Sequence, residues 1–461
     1  MTRLFATLAL LVPCASTFAA ENEVPASGKK PQVADQISPT ERGYQALTQT
    51  AFIPAFWTQN VVPNAWKQWG ATEKPTNYTT AVLERYGLHS APYANDGLPM
   101  GLRKASRVLS TGVGIDCMLC HAGSIDGKSI VGLGNSTLDV QALFEDFAKV
   151  DGLSGKLPFT FSNVRGTTEA GGFGVYLLGF RNPDLSLRTP RKELGLRDDL
   201  CEDVPAWWLM KKKKTIYHAG TTDSRSVRTL MQFMMHPLTT PKDFEKHEPA
   251  FRDIQQYLIS LEPPKYPYPI DEAKAAKGKV LFHQNCATCH GTYGEKWTYP
   301  NKVIPLDEIG TDPTRHKGID VTYGKEYSES WFGKEKNGWF VNGLPLRATA
   351  GYQAPPLDGI WATAPYFHNG SVPTLDGVLN SKARLKRYTR SFKTNEASYD
   401  KVNVGWKVTE LRDPPSEKLP PHEARKIYDT SKPGRSNAGH TYGDDLTDEQ
   451  RAQVIEYLKT L

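Results

Sequence analysis

Two short cysteine–histidine motifs hold the clearest chemical signal in this sequence. The first is Cys117-Met118-Leu119-Cys120-His121, and the second is Cys286-Ala287-Thr288-Cys289-His290. In a C-x-x-C-H motif the two thiols form thioether bonds to a haem c, and the histidine binds the haem iron. Paired cysteines also form disulfides or zinc sites, but neither requires a histidine directly after the second cysteine. The repeated pattern therefore predicts two covalently bound haem c groups, with His121 and His290 as iron ligands.

The second predicted iron has one axial position left, which a methionine or a histidine can fill. All seven methionines lie at or before Met235, so the C-terminal part of the chain supplies none. The other histidines of this part are His283, His316, His368, His422 and His440. His440 lies in a glycine-flanked loop before the last predicted helix, where an imidazole can approach a haem. We therefore predict His440 as the second ligand, with His368 as the rival.

The far side of the first predicted haem has several possible occupants. Side chains that would close this iron are His218, His236, Met210 and the cluster Met231, Met234 and Met235. Such a methionine cluster is more typical of core packing. The glycine-rich stretch at residues 163–174 instead leaves room beside a large flat group. We therefore expect His121 to be the sole protein ligand of this iron in at least one functional redox state, with the far side vacant or holding water or O₂.

Glu169 is the acid–base candidate beside the first predicted haem. It lies in the glycine-rich stretch, and cleavage of an O–O bond requires delivery of a proton. The alternative interpretation is a surface carboxylate paired with Arg165, which contributes little to stability.

The chain begins with Met1-Thr2-Arg3, which is followed by an apolar run from Leu4 to Val12. Small residues follow this run, near Ala20. This pattern is typical of a secretory signal peptide. We therefore expect residues 1–20 to be removed and the mature protein to be periplasmic or secreted. No later apolar run is long enough to cross a bilayer, so we expect no transmembrane segment. Cys14 belongs to the signal, and Cys201 remains as a buried, inert thiol.

The formal charge of +6 makes the surface mildly basic. This charge favours a small acidic redox partner protein. The one dense basic run, Lys211-Lys212-Lys213-Lys214, lies beside Trp207 and Trp208. Because the chain has no further basic stripe, we expect a solvated helix end with the tryptophans in the core, and no nucleic-acid partner.

Apolar spacing and capping signals predict four helices and one domain boundary. The helices are expected at residues 138–150, from Pro249 to Glu262, from Asp271 into the second motif, and after the capping box Thr447-Asp448-Glu449-Gln450. The proline-rich segment at residues 263–269 is a stiff linker. It divides the chain into an N-terminal haem domain at residues 21–262, with a loose arm at residues 21–40, and a C-terminal haem domain at residues 271–461.

The C-terminal domain resembles a known family. Residues 351–375, which include Ala364-Pro365-Tyr366-Phe367-His368-Asn369-Gly370, are similar to the signature of the di-haem cytochrome c peroxidase superfamily. The tail from Tyr428 through Gly439-His440-Thr441-Tyr442-Gly443 is more similar to the branch that includes the bacterial rubber oxygenases. A helix that leads into the haem motif, followed by a closing helix, resembles the class I cytochrome c fold. We therefore expect a mainly α fold with two class I cytochrome c-like domains and long loop-rich insertions.

The resemblance implies a reactive haem and an electron-transfer haem. In the rubber-oxygenase-like branch the second haem is ligated by two histidines, which agrees with His290 and His440. We predict a secreted di-haem c-type oxidoreductase in which one haem activates peroxide or O₂ and the other transfers electrons. Peroxidase chemistry is placed slightly ahead of oxygenation of a small organic substrate. The alternatives are a pure di-haem electron carrier, a rubber-oxygenase-like dioxygenase acting on an apolar substrate, and a sensor of a small gas or hydrophobic molecule.

Overall fold

The computed structural model describes residues 37–107, 109–319, 321–335, 349–414 and 418–461. The predicted signal peptide and most of the predicted N-terminal arm lie outside these ranges. Helices account for 38% of the structure and strands for 13%. The prediction of a mainly α fold built from two class I cytochrome c-like domains is therefore wrong. Within the described ranges, no helix is both long and apolar enough to cross a membrane.

The elements are short and alternate along the chain. The α-helices are Pro39–Gln49, Val61–Asn64, Tyr78–Tyr86, Val140–Val150, Ala170–Leu178, Val227–Leu230, Pro241–Ser260, Glu272–Asn285, Ala287–His290, Leu306–Ile309, Thr314–Gly318, Val321–Glu329, Leu375–Leu379, Pro421–Ala424 and Asp448–Lys459. The strands are Trp57–Thr58, Leu102–Arg107, Ser110–Ile115, Ala122–Ile125, Lys128–Val131, Thr215–Ile216, Thr222–Asp223, Val303–Pro305, Gly351–Gln353, Arg387–Thr389, Tyr399–Asp400, Gly405–Trp406, Thr409–Glu410 and Ile427–Asp429.

Three predicted helices form, two of them with the expected caps at Asp271 and Thr447, and Asp139 caps the third. Asp139 and Asp271 each accept a hydrogen bond at the start of their helices, from the backbone N–H of Ala142 and Lys274. The last helix begins after the predicted capping box at Thr447. We name Glu272–Asn285 the opening helix and Asp448–Lys459 the closing helix. The two helices pack closely, because a Cβ at Gly278 would overlap the carbonyl of Gln453.

The prediction of a helix that begins at Pro249 is wrong. That helix spans Pro241–Ser260, and Pro249 lies inside it. It begins after Thr240, whose capping box with Asp243 and a proline at the first position make a stronger start signal. The buried face, which includes Phe244 and Phe251, continues past the proline and keeps the helix packed.

The sheets explain why the fold is not mainly α. The first motif is reached through an antiparallel hairpin, in which Leu102–Arg107 pairs with Ser110–Ile115, rather than through a helix. The C-terminal part contains a three-stranded sheet in which Arg387–Thr389 lies between Thr409–Glu410 and Ile427–Asp429. The three-stranded sheet contains Tyr388, Thr389, Thr409, Ile427 and Tyr428, which are β-branched or aromatic residues of the types enriched in strands.

The hydrophobic clusters are shared between the two parts of the chain. One cluster packs Met118 and Phe251 against Tyr323 and Phe332 of the C-terminal part. A second packs Trp208 of the N-terminal part with C-terminal residues that include Phe282, Trp361 and Val454. Two separate cytochrome domains are therefore not evident, and the boundary at residues 263–270 stays a prediction.

Candidate haem-binding sites

The first motif forms a tight turn directly after the hairpin. Asp116 accepts a hydrogen bond from the backbone N–H of Met118 at 2.8 Å, and Arg103 donates to the same carboxylate at 2.9 Å. Nδ1 of His121 lies 3.2 Å from the carbonyl oxygen of Pro205. Nδ1 then carries the hydrogen, and Nε2 is left to bind a metal.

The ring of His121 is held and kept neutral by its surroundings. It stacks on the indole of Trp207, with ring centroids 4.9 Å apart. Burial lowers the pKa of His121 to about 4. The neutral imidazole is the form that binds a metal, so this histidine is prepared for iron at neutral pH.

The second motif ends the opening helix and repeats the arrangement of the first. Nδ1 of His290 lies 2.8 Å from the carbonyl oxygen of Pro355. Across from it, the ring centroid of His440 lies 6.3 Å from that of His290. An imidazole nitrogen lies about 2 Å from a metal that it binds, so two rings on opposite sides of one iron have centroids roughly 6 Å apart. The pair therefore fits an iron between the two rings.

Backbone contacts hold His440 in this position. Its φ of 46° lies in the left-handed region, which a non-glycine residue adopts only when its surroundings impose it. Its N–H donates to the carbonyl of Ile309 at 2.7 Å, and Arg384 donates to its carbonyl at 3.0 Å. Burial, followed by the charge of His290, lowers the pKa of His440 to about 4.

The other candidate histidines have different surroundings. His368 stacks on the ring of Tyr352 at 4.0 Å and lies 6.2 Å from the ring of His218. Nε2 of His316 lies 2.9 Å from the carbonyl of Thr349, and His422 contacts its neighbour Glu423. His283 lies on the exposed face of the opening helix. The structure thus brings His440 to His290, although its role as iron ligand stays a prediction.

The cysteines show neither of the alternatives to haem attachment. The thiols of both motifs are free and half-buried, and Cys201 is free and buried, as expected. Among the described residues, no group of three or more His, Cys, Asp or Glu side chains is placed to hold a metal ion. Within these ranges, the four motif cysteines therefore form neither disulfides nor a shared zinc site.

A cavity of about 1030 Å³ opens at the first motif and is lined by Cys117, Cys120 and His121. Ligand pockets usually measure roughly 300–1,000 Å³, so the space suits a large cofactor. Most of the wall is apolar, with side chains that include Phe56, Phe144, Phe161, Phe173, Leu177 and Phe233. Gly171 and Gly174 also line it, where the sequence predicted a wall. They lie on the helix Ala170–Leu178, named here the glycine helix.

No histidine ring within the described ranges faces His121 as His440 faces His290. His218 and His236 line the cavity but have other contacts. Nε2 of His218 lies 2.9 Å from the carbonyl of Asp203, and Nδ1 of His236 accepts from the N–H of Leu238 at 3.2 Å. Met231 and Met234 are buried in the core. The two sites therefore share a motif histidine that lies against a proline carbonyl, and they differ on the opposite side.

Glu169 is placed differently from both sequence interpretations of it. Glu169 is fully buried. The adjacent residues Thr168 and Ala170 line the cavity, but Glu169 does not. Its carboxylate accepts from Asn163 at 2.8 Å and from the backbone N–H groups of Leu200 and Cys201 at 2.8 and 3.0 Å. Burial raises the pKa of Glu169 to about 8. Arg165 instead donates to backbone carbonyls. The catalytic role of Glu169 stays a prediction.

The lysine run departs from the predicted solvated helix end. Trp207 and Trp208 are buried, as expected. Lys211 and Lys214 are exposed, but Lys212 and Lys213 are half-buried. Nζ of Lys212 lies 2.7 Å from Asp358 and over the ring of Tyr293. Lys213 lines the cavity.

The C-terminal part supplies a second charged group to this cavity. Nε of Arg315 donates to Oε1 of Glu202 at 2.6 Å, and both side chains are buried. Oε2 of Glu202 accepts from the backbone N–H of Gly171 at 2.8 Å. No local sequence signal marks these residues, because only the tertiary packing brings residues 202 and 315 together.

Comparisons with known proteins agree with the cytochrome interpretation in part. A family model described as RoxA-like, cytochrome c-like matches residues 351–389. Two uncharacterized proteins of Sinorhizobium fredii (strain NBRC 101917 / NGR234), y4iJ and y4iM, are each 29% identical to this chain, over 44% and 45% of its length. The matches cover 42% and 53% of those proteins, so the chain spans about half the length of the curated relatives.

The match at residues 351–389 supports the rubber-oxygenase-like cytochrome branch, and a cytochrome c-like domain implies haem c. The matched residues include the strand Gly351–Gln353, the carbonyl of Pro355 that holds His290, and His368. The wider resemblance to the di-haem peroxidases stays a prediction.

Proposed function

We propose that this protein is a secreted or periplasmic two-haem oxidoreductase. In this proposal the first site acts on O₂ or peroxide and the second site transfers electrons. The observation that supports it is the contrast across the two motif histidines: a cavity beside His121, and an imidazole facing His290. A haem with one free side supplies chemistry toward O₂ or peroxide, whereas a haem closed by two histidines supplies electron transfer.

The protein groups of the first site orient and isolate the reaction. Pro205 and Trp207 fix the ring of His121, so its Nε2 points in one direction. The phenylalanine-rich wall excludes water and suits a small apolar organic substrate, or peroxide alone. Glu169 stays the proposed proton donor, behind the wall that Thr168 and Ala170 form.

A short turn connects the two sites and supports electron exchange between them. The turn Trp207–Lys211 places Trp207 on the ring of His121. The next residue, Trp208, donates from Nε1 to the carbonyl of Asp358 at 2.8 Å. Asp358 follows closely after Pro355, whose carbonyl holds His290. Of two adjacent tryptophans, one therefore contacts the first motif histidine, and the other contacts a residue three positions after the carbonyl that holds the second.

The test is an optical and spin-resonance spectrum of the oxidised protein, followed by titration of the reduced protein with carbon monoxide. We expect one low-spin signal from the second site and carbon monoxide binding at one haem per chain. Peroxide or O₂ should perturb the haem that binds carbon monoxide. If no reagent binds in any redox state, both irons are closed by protein.

In that case the pure electron carrier replaces the present proposal. This second candidate is supported by Met235 and His236, which line the cavity and contain groups that bind haem iron. In either function the +6 charge supports docking of a small acidic redox protein.

A further inference from the structure

We propose that Lys213, Arg315 and Tyr217 form a carboxylate-binding end of the first cavity, and that they hold the propionate groups of the haem attached at Cys117 and Cys120. The inference rests on the proposed presence of haem c at the first site. To that proposal, the inference adds the residues that would bind the propionate edge of the haem, opposite the thioether bonds.

Lys213 differs from the rest of its lysine run. Lys211 pairs with Glu262, and Lys212 pairs with Asp358 at 2.7 Å. Lys214 is exposed. Lys213 lines the cavity, and Nζ has no hydrogen bond or ion pair with any residue that the structure describes. Its ammonium group therefore faces the cavity without a counterion from this part of the chain.

The remaining charges on the wall leave an excess of positive charge. The charged side chains that line the cavity are Asp116, Glu202, Asp203, Lys213, Arg315 and Lys325. Asp116 is paired with Arg103 at 2.7 Å, and Glu202 with Arg315 at 2.6 Å. Burial raises the pKa of Asp203 well above its ordinary value, which favours its neutral form. No described carboxylate on this wall is therefore left to neutralise Lys213.

Lys213 also lies close to a charge of the same sign. Burial, followed by the charge of Arg315, lowers the pKa of Lys213 to about 8. Placing the unpaired ammonium group of Lys213 beside an apolar cavity and near Arg315 is costly unless an anion joins it. A carboxylate between the two groups would remove this cost and form charge-assisted hydrogen bonds with both.

Tyr217 adds a neutral hydrogen-bond donor to the same wall. It is 39% exposed, although it lies in the cavity lining, so its surface faces the cavity. Its hydroxyl accepts from Nε2 of Gln232 at 3.2 Å, and Oε1 of Gln232 accepts from Tyr323 at 3.0 Å. The hydroxyl hydrogen of Tyr217 is thus available to a carboxylate.

A haem c fits the anion that these groups require. Its two thioether bonds lie at one edge of the ring, and its two propionate carboxylates lie at the opposite edge. The thiols and the Lys213–Arg315 pair line one continuous cavity. Arg315 belongs to the helix Thr314–Gly318. The C-terminal part of the chain would therefore complete the haem site of the first motif.

The test compares Lys213→Met with the matched control Lys214→Met in the full-length holoprotein, without added carboxylate. Loss of a cation beside the propionates stabilises the oxidised, more positive haem. The midpoint potential of the haem that binds carbon monoxide should therefore fall in Lys213→Met and stay at the wild-type value in Lys214→Met. Lys213→Arg should restore it, and Tyr217→Phe should shift the propionate vibrations in a resonance Raman spectrum.

Octanoate separates the two possible sources of the carboxylate. An unchanged potential, combined with octanoate binding that is at least tenfold weaker in Lys213→Met, would assign the subsite to a substrate carboxylate and overturn the propionate assignment. An unchanged potential and unchanged octanoate binding would overturn the subsite altogether. If Lys213→Met does not fold, an unchanged Raman spectrum of Tyr217→Phe overturns it. A wild-type protein without haem at Cys117 would instead refute the proposed function.

Discussion

The two motif sites are alike on one side and different on the other. In both, Nδ1 of the motif histidine lies against a proline carbonyl, at 3.2 Å for His121 and 2.8 Å for His290. Opposite these rings, the second site presents His440, whereas the first presents a cavity of about 1030 Å³. We propose that the same local motif serves two chemical roles here, because the distal surroundings decide whether an iron stays accessible.

The approach to each motif differs as well. The second motif follows the opening helix, which packs on the closing helix. The first follows a β-hairpin, and its cavity wall comes from distant parts of the chain, including the glycine helix and Arg315. Residues far apart in the sequence thus shape the site that we propose to be reactive.

The largest expected effect is loss of one haem at a time. Replacing Cys117 and Cys120 with alanine should remove the haem that binds carbon monoxide, and replacing Cys286 and Cys289 should remove the low-spin haem. Without thioether bonds, haem does not survive denaturation on the chain. Pyridine haemochrome spectra of the denatured proteins should show one haem per chain instead of two. Zinc without haem in the wild-type protein would refute the comparison itself.

The next largest effect is expected from a substitution that makes the second site resemble the first. His440→Ala should leave His290 as the sole protein ligand and convert the second haem from low-spin to high-spin or water-ligated. Carbon monoxide should then bind two haems per chain instead of one. His368→Ala is the matched control and should keep the wild-type spectrum. The reverse result in these two variants would move the ligand assignment to His368.

A smaller effect is expected from a substitution that narrows the cavity at the first site and leaves the second site unchanged. A Cβ at Gly174 would lie 3.2 Å from the hydroxyl of Tyr323. Gly174→Leu therefore overpacks the wall and should cost about 1–3 kcal/mol of unfolding free energy. Carbon monoxide should bind the first haem roughly tenfold more slowly, since the side chain fills part of the approach to its free side. Flash photolysis measures this rate; an unchanged rate would show that the glycine helix does not limit access.

The last expected effect concerns the protonation of Glu169. Its folded-state pKa of about 8 exceeds the ordinary value of 4.5, so the folded protein keeps this proton longer than the unfolded chain. The contribution of Glu169 to stability is therefore fully present below about pH 4.5 and is lost as the pH rises through 8. Glu169→Gln should remove this decline. Urea unfolding at several pH values between roughly 5 and 8 measures the unfolding free energy of both proteins.

The same variant tests proton delivery. If Glu169 supplies a proton, Glu169→Gln should slow peroxide consumption about tenfold or more while carbon monoxide binding is preserved. An altered pH dependence of stability with an unchanged rate would leave Glu169 a purely structural residue. Stability and rate are both measured because the carboxylate accepts three hydrogen bonds, which Glu169→Gln also changes.

Several features of this protein were determined by the sequence alone. The haem motifs, the cap at Asp271 and the capping box at Thr447 act through neighbouring residues, so spacing is enough to predict them. The absence of methionine after Met235 also directed the prediction of the second ligand to the C-terminal histidines. The same kind of local signal failed at Pro249, where a stronger start at Thr240 took precedence.

The tertiary structure decided the rest. The choice between His440 and His368 depends on which ring the folded chain places opposite His290. The cavity at the first motif depends on Arg315 and Glu202, which are 113 positions apart and meet only after folding. The mainly α expectation was wrong for the same reason: strand pairing, unlike helix periodicity, joins segments whose individual patterns do not name their partners.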